Sequence, residues 1–137
     1  MVTTQNFGVD ALDNTKINVP FSEVQVIKFS GNPSSMAEQM KFPRDRSAIV
    51  FLSQVSRIDG TLIDINSVRN YLEELNERRA EEDRIYLVVD GSQAIGTLDL
   101  NVKGACDAYL ATSSKGVGAE PTTGIAYADD GLIELIT

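Results

Sequence analysis

Two short apolar runs, Ile85–Val89 and Ala108–Ala111, each stop at polar residues set among small ones. The first leads into Asp90-Gly91-Ser92-Gln93, the second into Thr112-Ser113-Ser114-Lys115-Gly116. Continuous apolar runs of this length, bounded by turn residues, suit strands buried on both faces of a parallel sheet. In an open α/β sheet, ligands sit in the crevice outside the carboxyl ends of the strands. Both polar clusters therefore fall where a ligand would be held. A carboxylate on one strand end and a lysine on another, among glycines, make a candidate cofactor site.

The rest of the chain supports such a sheet. Ala48–Leu52 is a third apolar run, followed by the polar loop Ser53–Thr61, so a third strand end joins the other two. Asp64 is placed to cap a helix whose stripe is Ile65, Val68, Leu72 and Leu75. Glu73, Glu74, Glu77, Arg78 and Arg79 lie largely off that stripe and read as its solvated face. Glu81-Glu82-Asp83 marks a loop before Ile85. A strand, a helix and a strand in that order imply a right-handed crossover between parallel strands. Upstream, Val24–Phe29 alternates as a strand near a sheet edge. Ser34 or Ser35 is placed to cap a short helix through Met40, which Pro43 ends, and Arg44-Asp45-Arg46 reads as a solvated link. Downstream, Gly124–Tyr127 is a last short strand, and Asp129-Asp130-Gly131 leads into the apolar stretch Leu132–Ile136. Residues 1–20 read as a poorly defined leader, with Asp13-Asn14 as a turn candidate before Pro20.

At 137 residues the chain is sized for one domain with a real core. Its net charge of −8 argues against a nucleic-acid partner, which requires clustered Lys and Arg. The absence of histidine removes Ser-His and Cys-His dyads and His-based metal sites, and no metal site is expected. The single cysteine, Cys106, excludes an internal disulfide, suits a reducing compartment, and reads as a small buried hydrophobe. No apolar run approaches membrane-spanning length, and the N-terminus lacks the pattern of a signal peptide, so a cytoplasmic protein with no membrane contact is expected.

Taken singly, Asp90 could be a turn former beside Gly91, and Lys115 an exposed loop lysine. Taken together they support more. A lysine amine activated by its site can form a Schiff base with an aldehyde. The pyridine nitrogen of pyridoxal phosphate needs an acidic partner to stay protonated. The hydroxyls of Thr112, Ser113 and Ser114, with nearby backbone N–H groups, suit a phosphate.

These residues carry a resemblance to the class V aminotransferase family, which includes cysteine desulfurases and kynureninases. The family's strand ending in Asp-(small)-x-Gln is similar to Asp90-Gly91-Ser92-Gln93, followed by Ala94-Ile95-Gly96. Its Ser-x-His-Lys motif, on a strand that starts near an Asp (here Asp107), resembles Thr112-Ser113-Ser114-Lys115, with a glycine-rich loop and Gly124-Ile125-Ala126-Tyr127 beyond. Ser53–Gly60 resembles the family's Ser-His-Val-Ser-Asn-x-x-Gly loop. The family-like segment covers residues 47–136.

The resemblance implies a three-layer α/β fold, a mostly parallel sheet with an antiparallel terminal strand, forming part of the large domain of a pyridoxal-phosphate enzyme acting on amino acids. It assigns Lys115 as the catalytic Schiff-base lysine and proton shuttle. Asp90 would face the pyridinium nitrogen, and Gln93 would lie near the ring's phenolic oxygen. Thr112 and Ser114 would stand at phosphate-contacting positions. Ser114 and Gln54 stand where the family has histidines, and Arg57 where it often has an asparagine. The family's ring-stacking side chain and part of its phosphate site are expected before residue 1, and its small C-terminal domain after residue 137. A homodimer, or a partner chain supplying the missing parts, is therefore expected, with an isolated chain incomplete as a catalyst. A non-catalytic interaction or remnant domain that keeps the fold is the alternative. A phosphoacceptor signalling domain ranks last, because Val24–Phe29 is followed by Ser30-Gly31-Asn32 with no acid.

Overall fold

Strands with few polar side chains to hydrate need cover on both faces, and the sheet here is built accordingly. A computed structural model of the chain describes residues 2–4, 25–27, 39–121 and 123–136. Its strands are β1 (Val2–Thr4), β2 (Gln25–Ile27), β3 (Ala48–Ser53), β4 (Ile85–Asp90), β5 (Ala108–Thr112) and β6 (Gly124–Ala128). They form one sheet in the order β2-β1-β3-β4-β5-β6. The first five are parallel and β6 runs antiparallel to β5, as the resemblance implied. Helices α1 (Ile65–Asn76) and α2 (Asp130–Ile136) flank it.

The two sheet faces belong to different helices, which gives three layers. Val50, Leu52, Leu87, Val89, Tyr109 and Ala111 pack with Ile65, Val68 and Leu72 of α1. Tyr86 and Ala108 of the opposite face pack with Leu132 of α2, flanked by Ile49 and Val88. The N-cap of α1 is Asp64, whose carboxylate accepts the Asn66 and Ser67 N–H groups and the Ser67 hydroxyl. The Ser67 hydroxyl is the main cause of an Asp64 carboxyl held below its usual range.

Three expectations change. Val2–Thr4 is a strand between β2 and β3 where a leader was expected; three residues are too few to show a period. Arg79 is no solvated charge: its Nε donates to the Asp83 carbonyl at 2.6 Å, and its Nη2 to those of Pro43 at 2.6 Å and Arg46 at 2.9 Å. Glu73 is also engaged, pairing with Arg69 at 2.9 Å and with Arg84 at 2.7 Å. Most of the helix expected after Ser34 or Ser35, and the Asp13-Asn14 turn, lie outside the described residues. Cys106 is buried, and desolvation pushes its thiol up to about 11. Among the described residues, no helix is long and apolar enough to cross a membrane.

Candidate functional site

Register decides where the three polar clusters fall. β3 and β4 pair in parallel with Ser53 beside Asp90, and β4 pairs with β5 so that Asp90 lies beside Leu110. Parallel strands in this register bring Ser53–Gly60, Asp90–Gln93 and Thr112–Lys115 to one edge of the sheet, at the strands' carboxyl ends. The Gln54 N–H donates to the Asp90 carbonyl at 2.9 Å, and the Thr112 N–H donates to Ser92 Oγ at 3.3 Å.

Asp90 is held as well as placed. Its Oδ1 accepts the Ser92 N–H at 2.9 Å, and the Gly91 N–H donates to the Leu110 carbonyl at 2.8 Å. Gly91 is required because a Cβ there would sit 1.9 Å from the Tyr109 ring. Tyr109 in turn donates its hydroxyl to Gln54 Oε1 at 2.7 Å. Gln54 thus holds Asp90 through its own main chain and anchors Tyr109 through its side chain. Burial is the main reason the Tyr109 hydroxyl is pushed up to about 12, so it remains a donor at neutral pH.

A second glycine contact ties the lysine loop to the turn after Asp90. Gly96, at φ +76°, lies against Gly116; a Cβ on Gly96 would meet the Gly116 carbonyl carbon at 2.5 Å, and one on Gly116 would meet the Ile95 carbonyl oxygen at 2.1 Å. Only glycines allow the two backbones so close. On the third side, Ser53–Thr61 is pre-folded, with the Ser56 N–H on the Thr61 carbonyl and the Thr61 N–H on Asp59 Oδ1. That Thr61 N–H is the leading reason the Asp59 carboxyl sits below its usual range.

An open recess of about 420 Å³ lies at this edge, lined by Asp90, Ser92, Leu110 and Thr112 among others. Its size is that of a small-molecule site. Of the candidate residues, Asp90 and Thr112 line it, whereas Gln93, Ser114 and Lys115 do not. Gln93 is half-buried in the turn after Asp90, with its carbonyl near the Thr97 hydroxyl. Ser114 is exposed and shares a hydrogen bond with Thr112 through their hydroxyls, 2.9 Å apart. Lys115 is exposed in the loop, its carbonyl accepting the Gly118 N–H at 2.9 Å.

Sequence reasoning missed two features here. The Tyr109–Gln54 bond joins residues 55 positions apart, with no local pattern to announce it. Ser53 Oγ is the one buried side-chain polar atom without a hydrogen-bond partner among the described residues, and it belongs to the residue paired with Asp90. A buried hydroxyl in that state is costly unless something completes it.

The family profile described as aminotransferase class-V matches residues 20–136, which takes in β2 as well as the segment from residue 47. Among solved structures, the chain is similar to a ureidoglycine–glyoxylate aminotransferase from Bacillus subtilis, with a TM-score of 0.74 and 14% identity over 98% of this chain and 34% of that one. An alanine–glyoxylate aminotransferase from Nostoc sp. gives 0.71, at 17% identity over 97% and 34%. A cysteine desulfurase from Thermococcus onnurineus also gives 0.71, at 16% identity over 97% and 32%. The chain thus spans about a third of the length of these structures. No curated protein matches the sequence.

Proposed function

This chain belongs to the aminotransferase class-V family, and from that premise we propose that it forms the cofactor-binding portion of a pyridoxal-phosphate-dependent enzyme acting on amino acids. The observation that carries the reading is Asp90, an acid held rigidly at the carboxyl end of β4 on the wall of a ligand-sized recess.

When bound, pyridoxal phosphate supplies an electron sink for carbanion chemistry at the amino acid. The chain's residues do the rest. Asp90 would hold a proton at the pyridine nitrogen, and the Ser92 N–H on its Oδ1 fixes how the carboxylate is turned. Thr112 and Ser114 present hydroxyls to the phosphate, and their mutual bond keeps them together. Gln93 orients the ring from the turn after Asp90. Lys115 would be the residue whose amine holds the cofactor and moves protons during its chemistry. The Gly96–Gly116 contact keeps its loop beside that turn. Further polypeptide, a second copy or a partner chain, contributes the remaining walls, so the isolated chain binds cofactor weakly and does not turn over amino acids.

The test is an absorption titration with pyridoxal phosphate into the millimolar range, followed by borohydride reduction and peptide mass mapping. Reduction should leave the cofactor joined through a secondary amine at Lys115, and Lys115→Ala should abolish the label. Label on other lysines only, or an undiminished label in Lys115→Ala, overturns the assignment. A second reading, a remnant that keeps the fold without the reaction, draws on Gln54: its carboxamide oxygen is taken up by Tyr109 where the family has a histidine. Under that reading the titration shows no saturable binding.

A further inference from the structure

The amino end of β4 has a recess of its own. It measures about 680 Å³ and is lined by Met40, Lys41, Phe42, Arg44, Tyr71, Leu75, Arg78, Arg79 and Ile85. Ile85 opens β4 and Asp90 closes it, five residue steps or about 17 Å away, so this recess is separate from the cofactor edge.

Its lining divides into two kinds. Met40 and Ile85 are buried, and with Phe42, Leu75 and the Tyr71 ring they make an apolar floor. The remaining four are cations, a third of the 12 in a chain with 20 acidic residues, and no lining residue is acidic. Arg79 is the telling one. Its Nε and Nη2 are spent on three main-chain carbonyls, and no carboxylate among the described residues pairs with it. Its Nη1 donates to no acceptor there. A half-buried guanidinium usually has a carboxylate partner, as Arg69 and Arg84 of this chain do. Arg44 and Arg78 are exposed and likewise make no ion pair within the described residues. Tyr71 keeps its phenolic proton as a further donor, because burial, with Glu74 nearby, raises its pKa.

We propose that this recess binds a small amphipathic anion, an aromatic or similarly apolar body bearing a carboxylate or phosphate head. The body would lie on the Phe42, Tyr71 and Leu75 floor, and the head would meet Arg44, Arg78 and the unused Nη1 of Arg79. The site does not depend on the cofactor reading, since it shares no residue with that edge.

Phenyl phosphate, benzoate, inorganic phosphate and phenol serve as probes, with binding followed by amide chemical shifts of the isotope-labelled chain. Phenyl phosphate or benzoate should bind saturably and move the amides of Tyr71, Leu75, Arg78 and Ile85. The stronger of the two names the head group. Phenol lacks the charge and inorganic phosphate the apolar body, so both should bind more weakly. Arg44→Gln/Arg78→Gln should weaken the phenyl phosphate or benzoate complex by about tenfold or more, because two charge-assisted contacts go. Both side chains are exposed, so circular dichroism should show the fold intact. Unchanged affinity in the double variant, equally tight phenol, shifts confined to the Asp90–Thr112 edge, or no saturable binding by either aromatic anion overturns the proposal.

Discussion

The two faces of the sheet are held very differently. On the α1 face, Leu52 and Leu87 are wholly inaccessible, and Tyr109 and Ala111 join the same cluster. On the α2 face, Leu132 covers Tyr86 and Ala108 near the start of β5, but Leu110, two residues on, is 42% exposed. The exposed part of that face lies beside the recess at Asp90. The sealed face fixes the strands and therefore the register of their carboxyl ends. The half-open face leaves room for a ligand without loosening them. Stability and site are thus divided between the two sides of one sheet.

The largest effect should come from Asp107, which serves both layers. Its Oδ2 pairs with Arg69 of α1 at 2.7 Å and accepts the Leu87 N–H, extending the β4–β5 ladder by a side chain. Its carbonyl accepts the Asp129 N–H, and Asp129 Oδ1 caps the Leu132 N–H of α2. Asp107→Ala leaves Arg69 with only the partly exposed Glu73 and should cost about 3–5 kcal/mol in urea unfolding. Arg69→Met on top of it should recover part of that loss, because the stranded charge is gone. A loss under about 1 kcal/mol would mean that packing alone holds α1 on the sheet.

A matched pair of leucines sharpens the comparison directly. Leu87→Ala opens a cavity in the sealed face and should cost about 2–5 kcal/mol by the same measurement. Leu110→Ala removes atoms that are already partly wet and should cost about 0.5 kcal/mol. Equal losses would show that the second face is as tightly packed as the first, and the division of roles would fail.

How much of this could be read beforehand depends on the range of the interaction. β3, β4 and β5 were legible because a strand buried on both faces must be continuously apolar, and such runs stand out. The Asp64 cap was legible because its partners lie two and three residues away. The shared edge of the polar clusters followed from parallel pairing. Arg79 was misread because two of its three acceptors, Pro43 and Arg46, are more than thirty positions upstream. The Gln54–Tyr109 bond and the orphaned Ser53 hydroxyl escaped for the same reason: burial and distant partners leave no period in the sequence. Spacing could bring Lys115 to the right edge, but not show that its loop stands outside the recess lining.

A smaller effect than that of Asp107 or Leu87 tests how the sealed face supports the open one, through the Tyr109 hydroxyl. Tyr109→Phe keeps the ring against Gly91 but leaves Gln54 Oε1 buried without its donor, which should cost about 1–2 kcal/mol at neutral pH. The pH dependence gives an independent check. Folding raises the Tyr109 pKa from 10.0 to about 12, and that of Cys106 from 9.0 to about 11. Below the lower value of each pair both states keep the proton, so stability does not vary with pH on their account. Above it the unfolded chain ionises first, and stability falls until the folded group titrates too. The wild-type unfolding free energy should therefore decline from about pH 9, first through Cys106 and then through Tyr109 as well. Tyr109→Phe removes the second contribution only, so its deficit relative to wild type should narrow by about pH 11. A deficit that is constant across this range would mean that the Tyr109 hydroxyl is not buried against Gln54. Asp90 would then rest on its main-chain bonds alone.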